Sequence, residues 1–158
     1  MAEKKSGISY EQIIKDLKAR KFAPVYVLMG DESFYIDKIC DFISENVLKP
    51  EEQDFNQTVV FGADVNAMQV VDMCKGYPMM AEFRVVVVKE AQNLRNLEPL
   101  EKYLQNPVKT TILVLCHKNG SIDRRKKFIP QAEKVGVVFE SKKLYDRQLP
   151  GFIETYLK

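Results

Sequence analysis

Lys75-Gly76-Tyr77-Pro78-Met79-Met80-Ala81-Glu82-Phe83-Arg84-Val85-Val86-Val87-Val88-Lys89-Glu90 divides into two unlike halves. The valine run Val85 to Val88 has the stiff, branched side chains that suit a strand buried on both faces, the usual condition of a central strand in a parallel sheet. The first half sets Tyr77, Met79, Met80 and Phe83 around a proline, just before the strand, where the chain should turn at the surface. Those four side chains need a partner. Met often fills gaps in cores, so the simpler partner is the protein's own interior; the alternative is another protein, because Met and flat aromatics are also enriched at binding surfaces.

The same grammar extends on both sides. Ser9 with Gln12 three residues later reads as a capping box, followed by Tyr10, Ile13, Ile14 and Leu17 on one helical face ending near Arg20. Pro24 leads into Val25-Tyr26-Val27-Leu28-Met29, a buried strand stopped by Gly30. After Gly30-Asp31-Glu32-Ser33, residues Ile36, Ile39, Cys40, Ile43 and Val47 recur at helical spacing until Pro50. Phe55 to Phe61 reads as a second strand, broken by Gly62, with Asp64 placed to cap a helix carrying Val65, Met68, Val71 and Met73 or Cys74. Arg84 to Val88 is the third strand. Leu94, Leu97, Leu100, Tyr103 and Leu104 form another helical stripe, closed by Asn106-Pro107 before a fourth strand, Thr111 to Cys116. A helix is expected to start near Ser121 and to break or re-aim at Pro130, and Gly136 introduces a fifth strand, Val137-Val138-Phe139. Five short apolar strands alternating with helices predict an α/β fold, a five-stranded parallel sheet flanked by helices. Beyond it, Leu149, Phe152, Ile153, Tyr156 and Leu157 form one more stripe that stops at Lys158, so residues 1–141 are expected to form the α/β domain and 142–158 to begin a helical second domain whose remainder lies beyond this chain.

Composition narrows the function classes. With 158 residues the chain can bury a real core, and 24 Lys plus Arg against 22 Asp plus Glu leave a net charge of +2, too small by itself to argue for nucleic acid or an acidic membrane. Cys40, Cys74 and Cys116 lie far apart with no Cys-x-x-Cys pair and only His117 as an imidazole ligand, which predicts reduced core thiols in a cytoplasmic protein rather than a metal site. The polar start is not expected to act as a signal peptide, and no apolar run approaches the roughly 20 residues that span a bilayer.

Enzyme signatures fail one by one. A phosphate-binding loop after the first strand would need Gly-x-x-x-x-Gly-Lys-Ser/Thr, but Gly30 is followed by Asp31, Glu32, Ser33, Phe34, Tyr35 and Ile36. Two carboxylates at a helix start repel a triphosphate and serve better as caps. The third strand ends in Lys89-Glu90 where a magnesium-holding Asp would be wanted, and His117 has no Ser or Cys at a suggestive spacing. No intrinsic catalysis and no cofactor are expected. The basic run Arg124-Arg125-Lys126-Lys127 is a candidate for phosphate contacts, set against the simpler reading of a solvated helix surface, because no aromatic residue is interleaved with it.

The segments Ala23 to Asp37, Tyr77 to Val87, Tyr103 to Pro107, Thr111 to Leu115 and Asp123 to Lys127, taken in that order and spacing, resemble the N-terminal domain of the delta subunit of the bacterial DNA polymerase III clamp loader. The resemblance implies an AAA+ type domain with a degenerate nucleotide site, continuing into a helical domain and a collar domain. It implies a cytoplasmic accessory subunit of the replicative polymerase, partnered with the beta sliding clamp and, through the full-length chain, with the tau/gamma and delta prime subunits; DNA would be met indirectly or weakly. In the family an adjacent apolar pair before the third strand enters a hydrophobic pocket on the clamp. The matching positions are Met79 and Met80, with Tyr77 and Pro78 beside them, where relatives often carry leucine or phenylalanine. The implied function is to bind and help open the clamp for loading onto primed DNA. Two rivals make different predictions: a nucleic-acid module would bind through Arg124, Arg125, Lys126 and Lys127 with steep salt dependence, and an ATP-binding AAA+ ATPase would gain thermal stability with magnesium and ATP.

Overall fold

Ser9 accepts a hydrogen bond from the Gln12 amide at 3.1 Å and so starts helix α1 (Tyr10–Lys18). The Gln12 side chain reaches forward to Asp16 instead of back to the cap, so half of the predicted capping box forms. The computed structural model describes residues 8–123 and 126–141. After α1 come β1 (Val25–Gly30), α2 (Ser33–Asn46), α3 (Pro50–Asn56), β2 (Gln57–Phe61), α4 (Ala67–Cys74), β3 (Arg84–Lys89), α5 (Glu98–Tyr103), β4 (Thr111–Lys118), α6 (Phe128–Val135) and β5 (Val137–Ser141). The residues of the anticipated 142–158 domain lie outside the described part.

The sheet has the order β2-β3-β4-β1-β5 and every pairing is parallel. Register places Val87 between Val59 of β2 and Val114 of β4, so the valine run is indeed the inner strand its composition predicts. Alternate valines serve opposite layers. Val86 and Val88 pack with Val70 and Val71 of α4, Leu100 of α5, Leu104 just after it and Ile129 of α6. Val85 and Val87 pack with Ile13 and Leu17 of α1 and with Ile36, Ile39 and Ile43 of α2. Helices therefore cover both faces, and all four residues Val85 to Val88 are fully buried. Cys40, Cys74 and Cys116 are free and buried, as core thiols should be; burial pushes the Cys74 thiol up to about 12.

Four local expectations give way. Pro50 does not only end α2: it sits in the first turn of α3, where its missing N–H costs nothing and Glu51 and Glu52 favour the helix dipole. Phe55 and Asn56 consequently belong to that helix, and the strand starts at Gln57. Asn66, not Asp64, caps α4; its side chain accepts from the Gln69 amide while the Gln69 side chain accepts from the Asn66 amide, a complete capping box. This shifts the buried face to Ala67, Val70, Val71 and Cys74 and leaves Met68 exposed. The leucine stripe shortens to a helix over Glu98–Tyr103, with Leu94 buried by a loop. Ser121 starts no helix; α6 begins at Phe128 and holds Pro130 in its first turn, where the ring is tolerated.

Candidate partner-binding site

Because the strands are parallel, the loop before β3 and the loops after β1 and β4 lie at opposite ends of the sheet. The loop before β3 forms a tip fastened at three places. At its start, Arg84 Nε donates to the Met73 carbonyl at 2.9 Å, capping the end of α4. Gly76 lies against that guanidinium so closely that a Cβ would stand 3.1 Å from Arg84 Cζ. At its exit, Phe83 meets Phe22 edge to face with centroids 5.3 Å apart and joins the core cluster of α1 and α2. In between, Asn56 accepts from the Met79 amide at 2.6 Å and donates to the Met79 carbonyl at 3.0 Å.

Of the aromatic and Met side chains that wanted a partner, Phe83 finds it in the core. Tyr77, Met79 and Met80 do not: they are 76%, 60% and 99% exposed, with Pro78 half-buried between them. Met80 has φ 56°, in the left-handed region that L residues adopt at a cost of about 1–2 kcal/mol. The surface thus carries an apolar knob on a strained backbone.

The opposite end is where an α/β sheet of this kind binds ligands, at the switch point between β1 and β4 whose following connections run in opposite directions. Here the chain satisfies itself. Gly30 (φ 128°) brings the backbone so close to β5 that a Cβ would lie 1.9 Å from the Ser141 carbonyl oxygen, and its amide donates to the Gly120 carbonyl at 3.0 Å. Glu32 caps α2, accepting from the Phe34 amide at 3.0 Å, as expected for a carboxylate there. Lys118 Nζ pairs with Asp37 Oδ1 of α2 at 2.8 Å, and that hydrogen bond raises the Lys118 pKa against partial desolvation. Gln92 accepts from the Lys118 amide and donates to Glu90 Oε1 at 2.6 Å, so Glu90 is engaged within the protein. His117 Nδ1 lies 3.1 Å from the Gly120 carbonyl, a strand-end role.

Lys126 and Lys127 are exposed near this same end, beyond β4, and remote in the fold from Met79 and Met80; Arg124 and Arg125 lie outside the described residues. The structure thus brings Tyr77, Pro78, Met79 and Met80 together and keeps Lys126 and Lys127 apart from them. Sequence reasoning missed Asn56, Arg84 and the Lys118–Asp37 pair. Their partners lie 23, 11 and 81 residues away, and no local pattern signals such contacts. Among the described residues no His, Cys, Asp and Glu cluster could hold a metal ion, and no helix is long and apolar enough to cross a membrane.

The sequence model of the family described as DNA polymerase III, delta subunit matches residues 26–142. The DNA polymerase III subunit delta of Bacillus subtilis is 29% identical over 148 residues, covering 87% of this chain and 43% of the relative. The solved structure of the Bacillus subtilis DNA clamp loader delta protein superposes with a TM-score of 0.78 at 26% identity, covering 91% of this chain and 45% of that one. A DNA polymerase III gamma subunit-related protein of Thermotoga maritima shares the fold at a TM-score of 0.51 and 13% identity, over 94% of this chain and 50% of its own. The chain spans less than half the length of the curated relative it matches. With the family model matched over most of a parallel sheet flanked by helices, the chain belongs to the DNA polymerase III delta subunit family.

Proposed function

We propose that this chain is the clamp-gripping part of a clamp-loader delta subunit, and that Met79 and Met80 are its anchor on the sliding clamp. The observation that carries this is the 99% exposed Met80 on a left-handed backbone, beside the exposed Met79 and Tyr77. Inserted into an apolar pocket, each Met side chain contributes about 1.5–3 kcal/mol, and Tyr77 and Pro78 frame the contact. Binding of this kind favours whichever form of the ring presents the pocket best, so it promotes an open interface without chemistry of its own. The closed crevice at Gly30 and the engaged Lys118 and Glu90 support a non-catalytic role, in which nucleotide is handled by other subunits.

Calorimetric titration of the chain into the sliding clamp of the same organism tests this. Met79→Ala with Met80→Ala should weaken binding at least about tenfold with the fold intact. Unchanged binding by that variant would move the contact elsewhere on the domain.

A further inference from the structure

We infer that Asn56 presets the shape of the tip, so that Met79 and Met80 meet their partner as an already formed anchor rather than as a loop that orders on contact. The inference rests on the tip being the clamp anchor and adds how it is held. Asn56 is 1% exposed, yet its side chain is fully used: Oδ1 accepts from the Met79 amide at 2.6 Å, and Nδ2 donates to the carbonyls of Met79 at 3.0 Å and Glu52 at 2.9 Å. Bonding both backbone groups of one residue is what a neighbouring strand does in a sheet. Here a single side chain at the end of α3 does it for a loop with no strand beside it.

The residue next to this grip is the one that needs it. Met80 holds φ 56° while its side chain, 99% exposed, makes no packing contact that could keep it there. A left-handed L residue persists only where its flanks determine it. Those flanks are Asn56 on Met79 and the Phe22–Phe83 contact that fastens the exit. A loop free to move would lose backbone entropy on binding, and a preset one has already lost it in folding. The other bond of Asn56, to Glu52 one helical turn back, ties the tip to α3, so anything that displaces α3 also displaces the anchor.

The test uses the 158-residue chain with Asn56→Ala, and with Asn56→Asp, which is isosteric but turns an acceptor toward two carbonyls. In the free protein Asn56→Ala should speed amide exchange at Met79 at least about tenfold, and Asn56→Asp, which keeps an acceptor for that amide, by less, while Val86 and Val87 of β3 keep their protection, which separates a loosened tip from a lost fold. Against the clamp both should weaken binding about fivefold or more, and add almost nothing in a Met79→Ala/Met80→Ala background, because the two changes remove the same interaction. Undiminished protection at Met79 in Asn56→Ala, or a binding loss that adds in full to that of the Met variant, overturns the inference. If the Met variant itself binds like the wild type, the clamp assignment falls instead, and exchange at Met79 still distinguishes a held tip from a free one.

Discussion

The loop before β3 and the crevice after β1 and β4 lie at opposite ends of one sheet, and they treat their side chains in opposite ways. In the crevice, polar groups that a ligand could use are bonded within the protein: Lys118 to Asp37, Glu90 to Gln92, the Gly30 amide to Gly120. At the tip, apolar groups that a core could use point outward, and the polar bonds of Asn56 and Arg84 are devoted to holding the backbone beneath them. The crevice closes on itself because unpaired polar groups are costly. Exposed apolar surface on a strained φ is costly in the free protein, and a bound partner would offset both costs.

The sharpest break of this contrast is Gly30→Ala. With φ 128° and the Ser141 carbonyl where the Cβ would go, the substitution should lower unfolding free energy by about 2 kcal/mol or more, read from urea denaturation. A much smaller effect would mean that the crevice has room for a ligand loop. The Met79→Ala/Met80→Ala variant should show the reverse profile, losing clamp binding while its stability stays within about 0.5 kcal/mol of wild type, as for other exposed positions.

A finer probe compares two residues at position 80. Met80→Gly should be more stable than Met80→Ala by up to about 1 kcal/mol, because glycine adopts the left-handed region without a Cβ penalty and surrenders part of that gain in unfolded-state entropy. Equal stability would mean that the tip relaxes out of that conformation in solution. Smallest is Lys118→Met, at under about 1 kcal/mol, since the Asp37 partner is half exposed to solvent. Its sign with pH is definite. The Lys118 pKa is raised from 10.5, so the pair's contribution is fully present below that value and disappears as pH rises through the folded-state pKa. The difference between wild type and Lys118→Met should therefore be constant from neutral pH to about pH 9 and vanish only in stronger alkali. Millimolar ATP with magnesium should leave the melting temperature of the wild type unchanged, whereas a rise would reopen the crevice as a nucleotide site.

Much of the fold is legible in the order of residue types. The five apolar runs from Val25 to Phe139 form five parallel strands, because branched residues in short runs between glycine and proline signals have few other places to go. Helix ends are less legible. Pro50 and Pro130 look like interruptions but begin helices, since a proline is as compatible with a first turn as it is hostile to an interior, and sequence alone does not say which side of it the helix lies on. The cap of α4 falls on Asn66 rather than Asp64 for a similar reason: both residue types cap, and only the packing of Ala67, Val70 and Val71 against the sheet decides between them.

The candidate site divides along the same line. That an apolar cluster precedes an inner strand, and that the phosphate-loop residues are missing after β1, are properties of residue type and spacing, and the sequence by itself determined them. Which members of the cluster belong to the core was decided only by tertiary structure. Phe83 could turn inward because Phe22, 61 positions earlier, waits at 5.3 Å, and Met80 could not because Asn56 holds its neighbour's backbone outward. Such contacts join residues that have no local relation along the chain, and so they come into being only when the sheet sets the end of α3 beside the loop before β3.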